Sequence, residues 1–253
     1  MNQPSITPSG GSQPAIAAVV PALNEAPSIV RVVSGLRALA SPALDAVIVV
    51  DNGSTDGTGA LAREAGAIVV REERRGYGYA CLAGVRAADA DIVVLLDGDA
   101  ADDPTDLDAV LAPLLRDEAD LVVGSRALGS REAGSMTPVQ VFGNKVAATL
   151  MGPLYGVTVS DLGPLRAIRR DKLMALGMTE MSYGWSVEMA VKAFRAGYRY
   201  REVPVSYHRR IGVSKVSGTL RGSVRAGWCI LSTTLRYARW TPDLPITVPG
   251  ARA

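Results

Sequence analysis

Short apolar runs alternate with amphipathic stretches along the first half of the chain. Runs of five or six apolar residues without polar alternation are typical of strands that are buried on both faces. The amphipathic stretches between them have helical spacing, and strands alternating with helices predict a mostly parallel sheet covered on both faces. We therefore expect an α/β, Rossmann-like fold. The predicted strands lie at 15–20, 46–50, 67–70, 92–96 and 121–124.

The rhythm changes after residue 126. The polar stretch 127–138 has no periodicity and is either a mobile lid or a surface connection, with the lid favoured. A helix is predicted beyond it at 139–150, and a strand, two helices and an extended segment follow at 165–168, 171–176, 186–196 and 198–205.

A last helix is predicted over 218–239. At 100° per residue it carries one apolar stripe and, beside it, a basic stripe with Trp228. The apolar stripe comprises Leu220, Val224, Leu231, Leu235 and Ala238, and the basic stripe comprises Arg221, Arg225, Arg236 and Arg239. Such a helix either lies on a membrane surface or packs on the sheet with a solvated basic face.

Composition sets the outer limits. The 253 residues suit one α/β domain at 15–217, with a disordered tail at 1–14 and the terminal helix plus a loose end at 218–253. The net charge of +2 gives no reason to expect nucleic acid as a partner. Two cysteines without metal spacing indicate a reducing compartment, and no apolar run approaches the length of a membrane span. We expect a cytoplasmic protein that could lie peripherally on the inner face of the membrane.

The chemistry centres on the stretch IVVLLDGDAADD, where a buried strand ends in carboxylates. Asp97 and Asp99 flank Gly98, which lets the chain turn at the carboxyl edge of the sheet, where α/β proteins bind ligands. Paired carboxylates are hard oxygen ligands for Mg²⁺ or Mn²⁺, which usually keep positions for phosphate oxygens. A metal-bridged nucleotide diphosphate is the first hypothesis, although an isolated D-x-D is often only a turn.

Two further loops meet the same edge. The loop PALNEAPSI follows the first strand and VDNGSTDGT follows the second. They carry acceptors for ribose hydroxyls or base N–H groups, namely Glu25, Asp51, Asn52 and Asp56, although each could alone be a cap or turn residue. It is the meeting of three polar loops at one edge that favours a nucleotide site.

With these motifs the sequence resembles the family 2 glycosyltransferases of GT-A fold, most of all the branch of dolichol-phosphate mannose synthase. The resemblance runs from about residue 16 to 215. Its motifs are VVPALNEAPSI, VVDNGSTDGT, GYGYACLAG, LLDGDAADDP, GSR, GNKVAATL and RRIGVSK. It implies an inverting, metal-dependent transferase that uses a nucleotide diphosphate sugar and acts in cell-envelope glycan synthesis.

The resemblance also implies roles for individual residues. It assigns the metal to Asp97 and Asp99, and a basic pair near the diphosphate to Arg209 and Lys215. It assigns nucleotide-sugar contacts to Pro21, Leu23, Glu25, Val50, Asn52, Asp97, Gly98 and Arg126. Asn52 stands where that branch commonly has an Asp, and an amide offers a donor as well as an acceptor, so a uridine or a guanosine donor is open.

The acceptor divides the remaining hypotheses. A polyprenyl phosphate is already ionised and needs no base, and it is the favoured acceptor. A soluble glycan or small-molecule hydroxyl would need one, with Asp161 or Glu188 as the candidate. The rival from another class is a non-catalytic nucleotide-sugar binding protein, and a homo-oligomer is left open.

Overall fold

The computed structural model describes residues 13–41, 43–212, 228–229 and 231–242. Their main elements, in chain order, are β1 (Ile16–Ala22), α1 (Ile29–Arg37), β2 (Ala46–Asp51), α2 (Thr58–Glu64), β3 (Ile68–Arg71), α3 (Tyr77–Ala87), β4 (Ile92–Leu95), a 3₁₀ turn (Pro104–Asp106), α4 (Leu107–Leu115), β5 (Leu121–Arg131), α5 (Pro138–Tyr155), β6 (Arg166–Arg169), α6 (Arg170–Ala175), α7 (Trp185–Arg195) and β7 (Tyr200–Tyr207).

The strands form one sheet in the order β3-β2-β1-β4-β6-β5-β7. β1 pairs in parallel with β2 and β4, β2 with β3, and β5 with β7, whereas β6 runs antiparallel between β4 and β5. The predicted α/β fold with a mostly parallel sheet is confirmed. The reversed strand β6 is the feature that the alternation of elements did not reveal.

Alternate residues of the central strands enter two different cores. In β1, Ala18 and Val20 pack with α1 and α4 on one face, while Ala17 and Val19 pack with α3 and α7 on the other. All four side chains are fully buried. This two-sided burial explains why the strand sequences are continuous apolar runs. It also makes β1, β2 and β4 a firm base for the loops that leave their carboxyl ends.

The segment interpreted as a lid is partly strand. β5 extends to Arg131, and beyond an irregularity its Ser130 and Arg131 pair with Ser206 and Tyr207 of β7. The lid interpretation is therefore wrong for residues 127–131. These residues are exposed because they form the outer end of a strand, and their sequence, ALGSR, lacks the pattern of a buried strand and resembles a loop.

The C-terminal segment packs on the rest of the protein largely through polar and aromatic side chains. Of the helix predicted at 218–239, residues 218–227 and 230 lie outside the described residues, and residues 228–229 and 231–236 are helical. Leu235 is 61% exposed, whereas Thr233, Thr234 and Tyr237 are buried. Tyr237 Oη lies 2.7 Å from Thr179 Oγ1. Of the described residues of the apolar stripe, Leu235 is thus exposed, whereas Tyr237 packs against polar groups on α7 and the loop before it.

The docking site of this segment is a buried ion pair. Lys192 Nζ lies 2.8 Å from Glu188 Oε1 and also faces the rings of Tyr237, at 5.0 Å, and Trp240, at 5.1 Å. Cation–π contacts of this kind strengthen where water is excluded.

Among the described helices, none is long and apolar enough to cross a bilayer.

The docking face can be tested by two substitutions in this segment. Tyr237→Ala should lower the free energy of unfolding by about 3 kcal/mol, because it empties a buried aromatic site. Leu235→Ser should change it by less than about 0.5 kcal/mol, because that side chain is mostly in water. Urea unfolding followed by tryptophan fluorescence measures both, and the reverse ranking would show that the leucine stripe is the docking face.

Candidate active site

The loops after β1 and β2 are joined to each other by hydrogen bonds. Asn24 N donates to Ser54 Oγ at 3.0 Å, and Thr55 N donates back to Asn24 Oδ1 at 2.8 Å. Glu25 N donates to Thr58 Oγ1 at 2.9 Å. Asn24 takes a left-handed backbone with φ 53°, which an asparagine accepts more easily than most residues. The two predicted nucleotide loops therefore form one rigid unit.

The residues expected to contact the nucleotide differ in their access. Pro21 and Val50 are register partners in β1 and β2, and the Val50 side chain is fully buried in the core. Leu23 is half-buried in the loop, and Glu25 is 6% exposed. A Cβ on Gly212 would lie 3.9 Å from Glu25 Oε2, so the chain returns to this loop after β7. Glu25 thus lies between the first loop and the segment after the last strand.

Asn52 holds the neighbouring loop. Its Nδ2 donates to the carbonyls of Glu72, at 2.9 Å, and Arg74, at 2.8 Å, and its Oδ1 accepts from Gly76 N at 2.9 Å. An amide nitrogen has two donors, and both are engaged here. Gly76 has φ 151°, and a Cβ there would collide with the Met181 carbonyl. Asn52 therefore positions the turn into α3, and direct reading of a base by this side chain stays a prediction.

Asp97 follows the end of β4, where a tyrosine hydroxyl and a neighbouring carboxylate both meet it. Tyr77 Oη donates to Asp97 Oδ1 at 3.2 Å, and Asp97 N donates to Asp102 Oδ2 at 3.3 Å. The chain turns at Gly98 as expected, and the left-handed residue of this turn is Ala100, with φ 60°. A Cβ on Gly98 would lie 3.4 Å from the Pro21 carbonyl, which is an ordinary van der Waals contact.

Asp99 is the most enclosed of the predicted ligands, with 2% exposure. Its Oδ1 accepts from Ala101 N at 3.0 Å, and its Oδ2 lies 2.5 Å from Arg210 Nη2. The backbone after β7 runs beside this turn, because Ile211 N donates to the Asp99 carbonyl and His208 N donates to the Ala101 carbonyl.

Arg210 is the basic residue that sequence reasoning missed. Arg209, the predicted one, lies 3.4 Å from Glu132 and donates to the Ala133 carbonyl at 2.6 Å on the exposed side. In an extended segment neighbouring side chains point in opposite directions, so only one of the two arginines can face Asp99. That parity was the available signal, but it needed the end point of β7. Lys215 lies outside the described residues.

The electrostatics of this turn favour a cation. Burial and the charge of Asp99 raise the pKa of Asp97 to about 6. Burial and the charges of Asp97 and Asp99 also raise the pKa of Asp102 well above its usual range. Asp102 Oδ1 is buried without a hydrogen-bond partner. Like charges gathered in a partly dry site disfavour one another's ionised forms, and a positive ion relieves this.

These residues fit a divalent metal ion. Among the described residues no three acidic, histidine or cysteine side chains are arranged to hold an ion by themselves. Mg²⁺ typically takes only one or two carboxylates and fills its other positions with water and substrate phosphate. Asp97 and Asp99 would hold such an ion.

Arg126 and Asp161 form a second centre beside the first. Two nitrogens of the Arg126 guanidinium lie 2.7 and 2.8 Å from the two Asp161 oxygens, and Arg126 N donates to the same carboxylate at 2.8 Å. Burial acts to raise the pKa of Asp161, but the hydrogen bonds and charge of Arg126 outweigh it and the pKa is lowered. A carboxylate held in this way is a weak base.

Glu188, the other candidate base, is fully buried. It accepts from Thr179 N and Glu180 N, at 3.0 and 2.7 Å, and pairs with Lys192. Burial acts to raise the pKa of Glu188, but these donors lower it. Through Thr179, this carboxylate is linked to Tyr237 of the C-terminal segment.

A cavity of about 390 Å³ opens on the Arg126 side, between β5, α5 and the Asp161 loop. Its basic groups are Arg126, Arg131 and Lys145. Arg126 lies close enough to Asp97 and Asp102 for their charges to interact with its own. The cavity therefore neighbours the carboxylate turn. Sequence reasoning identified Arg126 but neither Arg131, which lies in no motif, nor Lys145, which lies in the motif GNKVAATL but was given no role.

Comparison with known proteins agrees with this geometry. The profile of glycosyl transferase family 2 matches residues 17–177. An uncharacterized glycosyltransferase of Mycobacterium tuberculosis is 41% identical over 214 residues, which cover 84% of this chain and 94% of the relative. A dolichyl-phosphate hexose transferase of Haloferax volcanii is 33% identical over 202 residues, covering 79% and 86%.

The fold is similar to that of a solved enzyme with ligands. Glucosyl-3-phosphoglycerate synthase from Mycobacterium tuberculosis, in complex with Mn²⁺, UDP-glucose and phosphoglyceric acid, superposes with a TM-score of 0.74 at 26% identity. The match covers 91% of this chain and 81% of that one. The expectation of Mg²⁺ or Mn²⁺ agrees with the metal in that complex.

Tyr77 can be tested as the residue that orients Asp97. Burial raises the pKa of Tyr77, so its hydroxyl stays protonated and donates. Tyr77→Phe should weaken Mn²⁺ binding about tenfold, since it removes a hydrogen bond to a charged group. Tyr79→Phe is the matched control, because Tyr79 stacks on Arg74 instead. Equal Mn²⁺ affinities of the two variants, measured by calorimetry, would remove Tyr77 from the site.

Metal binding should also depend on pH. A ligand carboxylate must be deprotonated, and the raised pKa of Asp97 means that its protonated form gains population as the pH falls toward 6. Mn²⁺ affinity should be nearly constant above about pH 7 and fall up to about tenfold per unit below pH 6. Calorimetry in buffers of different ionisation enthalpy would count the released protons, and a constant affinity down to pH 5 would contradict the raised pKa.

Proposed function

Because the chain belongs to glycosyl transferase family 2, we propose that it moves a sugar from a nucleotide diphosphate donor to a polyprenyl phosphate, with Mg²⁺ or Mn²⁺ as cofactor. The proposal includes a peripheral position at the inner face of the membrane, where such an acceptor is found. Its main support is one observation. The basic cavity beside the carboxylate turn is also lined by Val141 of α5, an apolar side chain that is 37% exposed.

The donor side follows from the carboxylate turn. Cleavage of the sugar–phosphate bond leaves new negative charge on the nucleoside diphosphate, and a bound divalent ion would stabilise that charge. Asp97 and Asp99 hold the ion in this proposal, and Tyr77 keeps the Asp97 carboxylate in one orientation. The loops after β1 and β2, which are joined by hydrogen bonds, bind the nucleoside next to the ion.

The acceptor side follows from the chemistry of the cavity. Arg126, Arg131 and Lys145 suit a phosphate group. Val141 of α5 lines the cavity, and Val139 and Phe142 on the same helix are 50% and 70% exposed. Exposed apolar side chains grouped on one helix are typical of a surface that meets an apolar partner. A polyprenyl phosphate combines an anionic head with a long apolar chain, and it therefore matches both features at once.

The state of the candidate bases agrees with such an acceptor. Asp161 is held by Arg126, and Glu188 is held by Lys192. An ionised phosphate attacks without giving up a proton, so neither carboxylate has to be free. In this proposal Asp161 orients Arg126 toward the acceptor, and Glu188 anchors the C-terminal segment.

A soluble phosphorylated acceptor is the second candidate. The superposed synthase was solved with phosphoglyceric acid, and the same three cations could bind a small phosphate ester. This alternative leaves the exposed apolar side chains of α5 without a role.

A transfer assay decides between the two acceptors. Labelled UDP- and GDP-sugars are incubated with Mn²⁺ and either polyprenyl phosphate or phosphoglyceric acid, and label is measured in the organic and aqueous phases. We expect label in the organic phase. Label only in the aqueous product would overturn the lipid acceptor, and no transfer to either acceptor from any donor would overturn both.

Variants then test the route of recognition. Phe142→Ser should lower kcat/KM for the lipid about fivefold or more, since it removes apolar contact area. Ile68→Ser is the matched control, because Ile68 is 57% exposed on the opposite edge strand, and it should change kcat/KM less than about twofold. Arg131→Gln should weaken the binding of either phosphate acceptor by about tenfold.

A further inference from the structure

The closest charged contact of the carboxylate turn is made by an arginine. Arg210 Nη2 lies 2.5 Å from Asp99 Oδ2, and the two side chains are 32% and 3% exposed. The other Asp99 oxygen already accepts a hydrogen bond from Ala101 N. Each oxygen of an expected metal ligand therefore already has one partner. The carboxylate has further lone pairs, but the guanidinium charge 2.5 Å away opposes a cation there, so an ion binds Asp99 more favourably when the guanidinium moves away.

The guanidinium itself is incompletely satisfied. Arg210 Nε is buried and has no hydrogen-bond partner, although an arginine offers five donors. A buried donor without a partner costs free energy, so this arrangement is less favourable than a fully paired one. The orphaned nitrogen shows that the side chain has capacity for a further anionic or polar ligand at this place.

Charge balance suggests what the second ligand is. Asp97, Asp99 and Asp102 lie on one turn, and Arg210 meets Asp99 directly. A divalent ion brings more positive charge than the guanidinium that it displaces. A diphosphate bound to that ion brings the negative oxygens that a displaced guanidinium can bind, and Arg is well suited to phosphate because of its planar fork.

We propose that Arg210 exchanges partners during loading: it neutralises Asp99 before the metal binds, and it moves to the donor diphosphate once the ion holds Asp99. The proposal rests on the metal and donor parts of the proposed function and not on its acceptor. Arg210 then has opposite effects on two ligands. It competes with the ion in the free protein, and it favours the nucleotide in the loaded one.

The consequence is coupling between metal and donor. Because the ion must displace Arg210, binding of the ion alone is weakened. Because the released Arg210 binds the diphosphate, donor binding regains the free energy that the displacement of Arg210 costs. Linkage requires the reverse as well, so the donor raises the affinity for the ion by the same factor.

The test uses Arg210→Met and measures binding rather than turnover. Free Mn²⁺ is followed by electron paramagnetic resonance without nucleotide, and UDP binding is followed by calorimetry at saturating Mn²⁺. Arg210→Met should bind Mn²⁺ alone about five- to tenfold more tightly than wild type and UDP about tenfold more weakly. A residue with only a structural role would weaken both or neither.

Arg209→Met is the matched control for charge. It removes the same charge from the neighbouring position, but its side chain pairs with Glu132. Mn²⁺ affinity without nucleotide should change less than about twofold in this variant. An equal rise in both variants would show a general charge effect and would overturn the exchange.

Remaining outcomes are equally decisive. Unchanged or weaker Mn²⁺ binding by a folded Arg210→Met would overturn the proposal. Where that variant fails to fold, Arg210→Lys keeps the charge on a compact head, and it should lose UDP affinity while Mn²⁺ affinity stays at or above that of wild type; a fall in both overturns the proposal. Wild type that binds neither Mn²⁺ nor UDP would overturn the donor assignment together with it. Wild type that binds both but transfers to no lipid would overturn only the acceptor.

Discussion

Electrostatic repulsion is the main constraint on this site, because three carboxylates share one turn at the end of a buried strand. Asp97, Asp99 and Asp102 lie where β4 leaves the sheet, and water reaches them only in part. In such a place a like charge disfavours ionisation of its neighbours, which is why the pKa of Asp97 and of Asp102 is raised. The groups around the turn are donors or cations that offset this cost, among them Tyr77, the Ala101 amide and Arg210.

The same constraint explains why the surrounding loops are stiff. An ion shared between two carboxylates and a diphosphate tolerates little movement of its ligands. β1, β2 and β4 are neighbours in the sheet, so their loops emerge side by side. Hydrogen bonds from side chains to backbone groups then join these loops, and Asn52 extends the joined unit to the turn before α3. The buried strands and the hydrogen bonds between their loops together fix the position of Asp97.

Sequence reasoning succeeded where burial is two-sided. The strands around 16–22, 46–51 and 92–95 are apolar throughout because each packs on helices at both faces, and that pattern is hard to mistake. It was less complete elsewhere. The outer end of β5 is exposed and its sequence resembles a loop, and β6 is buried but too short for its direction to be inferred.

The site was predictable to the same degree. Asp97 and Asp99 follow an obvious strand, so their place at the sheet edge could be inferred. The choice between Arg209 and Arg210 depends on a parity that one residue reverses, and the end of β7 is not encoded in any motif. The contacts of the C-terminal segment were not inferred for another reason. Periodicity finds apolar stripes, whereas this segment docks through Tyr237 and Trp240 onto the charged head of Lys192.

The two halves of the proposed reaction have one electrostatic problem in common. A polyprenyl phosphate and a nucleoside diphosphate are both anions, and each must approach the same sugar carbon. In the proposed reaction Arg210 would meet the leaving diphosphate, whereas Arg126, Arg131 and Lys145 of the cavity would meet the acceptor phosphate. Asp161 would oppose the acceptor if its charge were free, but the bidentate contact with Arg126 neutralises it. The pairing of a candidate base with an arginine is therefore what allows an ionised nucleophile to enter, and the same pairing makes a hydroxyl acceptor harder to activate.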